Sequence, residues 1–316
     1  MIIALALLAG AVVAGWLLPL VLRRLDVRRR DPVLLIVAWL VSMVGVLIAT
    51  AGGILLLLPT GHGPGGAILA FVHHCWTAID HGHGSPPEVE EATGLLGVAI
   101  MAALAIRVAV VSVRGLRHRT RKRQDNLAVL RLVARSNTGS ENVMWLAHDR
   151  PLAFSMPGRP GVVVATEGLR RTLDAQAVAA VLSHERAHLD GRHHLAVTLA
   201  DALRTALPFV PLFQHAPAAV RDLVELAADV TAVRQCGVAA VRTALEGVTG
   251  HGAPRPSLAM AQDAVDVRLA RLQHATAPPG LFRRAITCGL TAITATALPS
   301  ATGIGLLLAV VLITCP

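Results

Sequence analysis

The sequence predicts a mainly α membrane protein, with four transmembrane helices and one cytoplasmic α+β domain. Hydrophobic residues make up 54% of the 316 residues and the mean hydropathy is +0.59, which exceeds the usual range of soluble proteins. The apolar residues form four runs of membrane length, and residues 115–284 are the polar block of domain size between them. That block contains the pattern His-Glu-x-x-His, which is typical of metal-binding helices.

Three transmembrane helices are expected in residues 1–114 and a fourth in residues 285–316, at about 2–22, 33–58, 93–113 and 285–316. Each run is long enough as a helix to cross about 30 Å of hydrocarbon. The first run carries its positive charge after the apolar residues, whereas a cleaved signal carries it before them. Asp31 and Pro32 are suited to begin the second helix, and Pro299 should kink the fourth.

Basic residues lie directly beside these apolar runs, in two clusters: Arg23 to Arg30, and Arg114 to Arg123. The His-rich loop 59–92 contains no Lys or Arg. The positive-inside rule therefore predicts an external loop, a cytoplasmic domain and both termini outside the inner membrane of a bacterium. Because the net charge of +9 is concentrated beside the bilayer, we expect lipid contacts and no direct binding of nucleic acid.

Within the polar block, His184 and His188 lie four residues apart, so one helix can direct both imidazoles at a single ion. Glu185 follows about 100° round the helix, where a carboxylate can act as general base on a water molecule without binding the metal. Asp174 is a candidate N-cap of this helix, and apolar residues follow it. The pattern therefore falls inside a helix, as metal binding requires.

Glu225 is the expected third ligand, because a catalytic Zn²⁺ needs three protein ligands and an open position. Asp229 lies one turn further along the same predicted helix, where its carboxylate could accept the second ring proton of a ligating histidine. The alternative is that both carboxylates belong to an ordinary solvated helix face. The upstream histidines favour the metal site.

Three β-like runs precede the metal-binding helix, at 143–147, 152–155 and 161–166. A free strand edge beside a metal helix could hold a peptide substrate as an added strand. Residues 195–213 are apolar but are interrupted by two charges and two prolines. We therefore expect a helix pair, in the core or beside the membrane, that links the two metal helices.

These residues resemble the membrane-embedded gluzincin metallopeptidases. The resemblance is carried by Ala153-Phe154-Ser155, Pro160-Gly161-Val162-Val163, Glu167-Gly168-Leu169, His184-Glu185-x-x-His188 and Glu225-x-x-Ala228-Asp229. The order of spans and domain resembles the BlaR/MecR-type antirepressor peptidases more closely than the HtpX-type and CAAX-processing proteases. The resemblance is strong over about residues 150–235. Over the rest of the chain it is limited to the order of the membrane spans and the domain.

In that family the implied ligands of Zn²⁺ are His184, His188 and Glu225, the base is Glu185, and Asp229 supports the ligands. The implied function is that of a membrane-bound zinc endopeptidase that cleaves a cytoplasmic winged-helix repressor of transcription in antibiotic or envelope-stress signalling. The best-known members continue into an external penicillin-binding sensor with a Ser-x-x-Lys motif. Lys122, the single lysine, lies in no such motif, so direct acylation by a β-lactam is not expected.

Two alternatives remain open: a quality-control or CAAX-type zinc protease, and a non-catalytic receptor built on a zinc-protease scaffold. The group that stabilises the oxyanion is also open, because the chain contains no tyrosine. The candidates from the sequence are His193, His194 and Arg234.

Overall fold

The structure, a computed structural model, describes residues 2–26, 30–56, 143–158, 160–249, 268–270 and 281–314, together with separate helical residues between 96 and 117. The predicted external loop 59–92 lies outside the described residues, and the predicted span 93–113 lies only partly within them.

Helices dominate the described part of the chain. In chain order they are α1 (Ile2–Arg24), α2 (Pro32–Leu55), α3 (Glu167–Thr172), α4 (Ala175–Asp190), α5 (His193–Ala206), α6 (Pro211–Thr249) and α7 (Leu281–Thr314). The strands are β1 (Val143–Leu146), β2 (Ala153–Met156) and β3 (Val162–Thr166).

Two of the described helices, α1 and α2, are long and apolar enough to cross a membrane. The Asp31 carboxylate caps α2 by accepting a hydrogen bond from the Val33 N–H at 3.0 Å, and Pro32 is the first helical residue. The fourth predicted span is helical throughout α7, which contains Pro299. That α1, α2, α7 and the segment 93–113 span the membrane stays a prediction.

Helices α1 and α7 cross at small residues. A side chain at Gly10 would overlap the carbonyl oxygen of Pro299 and the backbone of Gly303, and one at Gly303 would overlap the carbonyl oxygen of Ala6. Residue numbers increase along α7 as they decrease along α1 at this crossing, so the two helices run antiparallel. Glycine at the crossing lets the two backbones approach closely, as is common between helices in lipid.

The three strands form one sheet in the order β1-β3-β2, in which β3 pairs parallel with β1 and antiparallel with β2. Strand β2 is an edge among the described residues. The sheet packs with α4 and the second half of α6 around a hydrophobic core that includes Trp145, Val163 and Leu245. This core holds β2 beside the helix that carries the His-Glu-x-x-His pattern.

The expected helix pair at 195–213 is present as α5 and the start of α6, separated by a turn at Leu207 to Val210. Helix α6 packs against both α1 and α2, while its middle packs against α4. It bends at Gly237, whose φ of 86° lies in the left-handed region. One helix therefore connects the two long apolar helices with the helix that carries the His-Glu-x-x-His pattern.

Candidate metal centre

Helix α4 holds His184 and His188 on one face. The Asp174 side chain accepts a hydrogen bond from the Ala177 N–H at 2.7 Å, so Asp174 is the N-cap that the sequence predicted. Ala177, Ala180 and Leu182 are buried and fix the rotation of the helix against its neighbours. The two imidazoles are thereby turned to the same side, with their Nε2 atoms 3.1 Å apart.

Helix α6 brings the carboxylate of Glu225 to these two rings. Its oxygens lie 3.3 Å from His184 Nε2 and 3.5 Å from His188 Nε2, and the three ligand groups lie within 4.8 Å of one another. A tetrahedral Zn²⁺ with bonds of about 2.0–2.1 Å requires ligand atoms about 3.3 Å apart. The three separations, and a His₂Glu donor set, fit that geometry.

Asp229 lies behind His184. Its Oδ1 accepts a hydrogen bond from His184 Nδ1 at 2.9 Å, which leaves Nε2 of the same ring free to bind a metal. The Arg268 guanidinium donates two hydrogen bonds of 2.7 Å to the same carboxylate. Asp229 is 3% exposed, and this bidentate ion pair fixes its orientation.

The charges around His184 favour a cation. Burial lowers the pKa of His184, but the hydrogen bonds and negative charges of Asp229 and Glu225 outweigh burial and raise that pKa to about 9. The same carboxylates would stabilise a divalent ion in place of the proton. Burial raises the pKa of Asp229, yet Arg268 and His184 lower it to about 2 overall, so this carboxylate is ionised near neutral pH.

His193 lies behind the other ligand. Its Nδ1 is 3.0 Å from Nδ1 of His188, so the His188 ring can donate its outer N–H to His193 while Nε2 faces the metal position. Burial, followed by the charge of His188, lowers the pKa of His193 to about 4. A neutral His193 retains the lone pair that this hydrogen bond requires. The turn before it is tight, because a side chain at Gly191 would overlap the His193 ring.

We expect His193→Ala to weaken zinc binding by roughly 10–100-fold, the usual effect of losing an outer partner of a metal-bound histidine. The measurement is competition for zinc with a chelator of known affinity, on purified full-length protein. His194→Ala is the matched control, since His194 is the next residue and is exposed. Equal zinc affinity in the two variants would remove His193 from the metal centre.

Glu185 lies on the rim of the same site. Burial raises the pKa of its carboxyl, and the charge of His184 together with hydrogen bonds from Ser155 on β2 partly offset the increase. Glu185 therefore contacts the edge strand on one side and faces the metal position on the other. This location suits a group that takes up and releases a proton during a reaction at the metal position.

A cavity of about 190 Å³ opens beside these residues. One part of its wall is polar and contains His184, Glu185, Glu225, Asp229 and Arg268. The other part is apolar and contains Ala153, Ala180, Val181, Ala232, Val241, Ala244, Leu245 and Val248. A dry cavity of about 150 Å³ can hold a benzene ring, so this one has room for an apolar side chain next to the metal.

The three candidates for oxyanion stabilisation do not line this cavity. His193 lies behind His188, and His194 and Arg234 are exposed elsewhere. Arg268 does line it, 3.8 Å from Glu225 Oε2. The sequence carried no signal for Arg268, because its segment reads as one more amphipathic helix and its contact with α6 depends on the tertiary fold.

Residues 118–247 match the sequence model of Peptidase family M48. A curated relative, described as "Protease HtpX homolog" from Desulforapulum autotrophicum (strain ATCC 43914 / DSM 3382 / VKM B-1955 / HRM2), is 38% identical over 81 residues. That alignment covers 25% of this chain and 26% of the relative. No solved structure matches significantly.

Both matches make the central part of this chain similar to peptidase family M48 and to a protease described in that way. The match to the HtpX homolog favours the HtpX-type alternative, and this chain spans only about a quarter of that relative's length. The finer prediction of a BlaR/MecR-type antirepressor peptidase is not confirmed by either match.

Proposed function

We propose, on the support for peptidase family M48, that this chain is a membrane-anchored zinc endopeptidase with its active site at the cytoplasmic face of a bacterial inner membrane. The observation that carries the proposal is the convergence of His184, His188 and Glu225 at separations that fit tetrahedral zinc. Glu185 beside these ligands supports catalysis over a purely receptor function, because a scaffold needs no buried base there.

Zinc, when bound by these three residues, supplies a Lewis acid and lowers the pKa of water. Glu185 accepts a proton from the attacking water as the new C–O bond forms at the peptide carbonyl. It then donates that proton to the amine nitrogen as the C–N bond breaks. Arg268 holds Asp229, and Asp229 and His193 hold the two ligating rings in the required tautomers.

The edge of β2 is the proposed location of the substrate backbone. Ala153 lines the cavity and Ser155 contacts Glu185, so a peptide added antiparallel to β2 would pass across the metal position. Strand addition fixes the backbone through main-chain hydrogen bonds, and the apolar part of the cavity would receive one side chain. This arrangement suits an extended segment of an unfolded or flexible protein.

Two substrate classes follow from different observations. The first class is misfolded membrane proteins, the substrates of the quality-control alternative, and we favour it because that alternative is the HtpX-type one. The order of the spans and the domain supports the second candidate, a cytoplasmic winged-helix repressor. Both classes present flexible cytoplasmic segments to the same site.

Cleavage by the purified full-length protein in lipid vesicles tests the proposed function. We expect fragments of an unfolded membrane protein, no fragments after a zinc chelator is added, and recovery after zinc is restored. A folded winged-helix repressor in a parallel reaction separates the two substrate classes. Cleavage that persists in the chelator would contradict a metallopeptidase.

The activity should also depend on pH through Glu185. Because burial raises the pKa of this carboxyl, it takes up its proton at higher pH than an exposed Glu, and only the ionised form can act as base. We therefore expect kcat/KM for an uncharged peptide to fall as pH decreases, with a midpoint above the ordinary value of about 4.5 for Glu. Activity that is level down to pH 4.5 would contradict this role.

A further inference from the structure

We infer that the turn between α5 and α6 is inserted in the hydrocarbon of the bilayer beside α1 and α2, so that lipid is the partner of its exposed face. The first observation is its depth. A side chain at Gly15 would lie 2.9 Å from Val210 Cγ1, so the turn reaches the middle of α1. Gly15 is nine residues from Arg24 at the end of that helix, or about 14 Å along its axis.

The packing around the turn is continuous with that of the membrane helices. Leu203, Leu212 and Phe213 belong to the same buried apolar cluster as Leu18 of α1 and Trp39 of α2. A turn of a soluble domain ordinarily lies at the surface in water. Here the turn extends a core whose other half is formed by two helices of transmembrane length.

The outward face of the hairpin is also apolar. Phe209, at the tip, is 69% exposed, and Leu195 and Leu199, one turn apart on α5, are 50% and 42% exposed. In water these side chains would form an exposed apolar patch. Beside α1 and α2, Phe209 and Leu199 are level with the hydrocarbon and contact lipid chains, whereas Leu195, about 17 Å from the end of α5, lies among the headgroups.

Several polar backbone groups of the turn have partners within the protein, which favours insertion into lipid. Arg107, in the described part of the segment 93–113, donates to the carbonyl oxygen of Thr205 at 3.4 Å. The side-chain amide of Gln214 donates to the carbonyl oxygen of Pro208. Pro208 and Pro211 have no N–H to satisfy. Two of the last carbonyl groups of α5 and its turn are therefore bonded without water.

The charged residues of the hairpin are compatible with this depth. Asp201 and Arg221 form an ion pair of 2.6 Å between α5 and α6, which neutralises both charges away from the tip. Arg204 and His215 are exposed nearer the tip. The long apolar stem of Arg204 lets its guanidinium extend toward the headgroups.

Insertion of the turn determines how far the metal site lies from the hydrocarbon core of the bilayer. Glu225 is fifteen residues along α6 from Val210, or about 22 Å, whereas half of the hydrocarbon core is about 15 Å thick. The metal ligands then lie just outside the hydrocarbon, among the headgroups. A substrate segment would be cleaved where it leaves the membrane surface.

Photolabelling tests the lipid contact directly. Phe209 is replaced by a photoreactive phenylalanine analogue in the full-length protein, reconstituted in vesicles of phosphatidylethanolamine and phosphatidylglycerol, and adducts are read by mass spectrometry. The matched control is the same replacement at Phe154 on β2, a phenylalanine that is 40% exposed. We expect phospholipid adducts at position 209 at least about tenfold above those at position 154, because only the former contacts acyl chains.

Equal adduct yields at the two positions, or adducts at position 209 only to a second copy of the chain, would overturn the inference. Should the variant at 209 fail to assemble, the probe is placed at Leu199, where the same excess over position 154 is expected. Chelator-sensitive cleavage is measured separately on each variant. A failure of the lipid contact is thereby distinguished from a failure of the proposed peptidase function.

Discussion

Glu185→Gln is expected to abolish peptide cleavage while zinc stays bound. Glutamine keeps the size of the side chain but cannot accept a proton, so water activation and protonation of the leaving amine are lost together. Removal of a general base typically costs about 10²–10⁴ in rate, and a group that serves in both steps should lie at the upper end. The measurement is kcat/KM on a fluorogenic peptide, together with the zinc content of the same preparation.

Glu167→Gln is the matched control for this variant. Glu167 starts α3, forms a 3.9 Å ion pair with Arg170 on the domain surface, and has a side chain that is 39% exposed. It should retain wild-type cleavage and zinc. A Glu185→Gln protein that still cleaves at more than about one tenth of the wild-type rate would exclude Glu185 as the general base.

Glu225→Gln should give the largest loss of metal. An amide oxygen is neutral and is a weaker ligand for zinc than a carboxylate, and the two histidines alone leave two open positions. Loss of an outer partner costs about 10–100-fold in metal affinity, so loss of a direct ligand should exceed that range. Cleavage should fall in parallel and recover partly when zinc is added in excess.

Asp222→Asn tests whether this effect is specific to the ligand. Asp222 lies on the same helix three residues earlier, is exposed, and is not among the converging ligands. Its variant should bind zinc as the wild type does. If both variants lost zinc equally, a general change in the charge of α6, rather than coordination by Glu225, would explain the loss.

The convergence of the candidate metal ligands could be predicted from the sequence because much of their geometry is local. His184 and His188 are brought together by the period of one helix, and Asp229 follows Glu225 by one turn of another. The caps at Asp31 and Asp174 were likewise visible as single residues before apolar runs. In each case the nearest neighbours in sequence determine where the side chain points.

The partners of these residues could not be predicted, because they depend on how distant elements pack. His193 appears in sequence as one more cation near the metal, yet the turn at Gly191 directs it to the far side of His188. Arg268 belongs to a segment remote from the motif, and only the fold brings it to Asp229. The hairpin at 195–213 was predicted as a helix pair, but its position along α1 depends on a contact between Val210 and Gly15 that no local pattern indicates.

The zinc content of the intact protein tests the central claim most directly. Full-length protein purified in detergent or vesicles, supplied with zinc and dialysed, is analysed for metal alongside His184→Ala. The proposed site predicts one zinc ion per wild-type chain and almost none in the variant. A folded wild-type protein that retains no divalent metal, or a variant that retains as much as the wild type, would contradict the metal centre and the peptidase built on it.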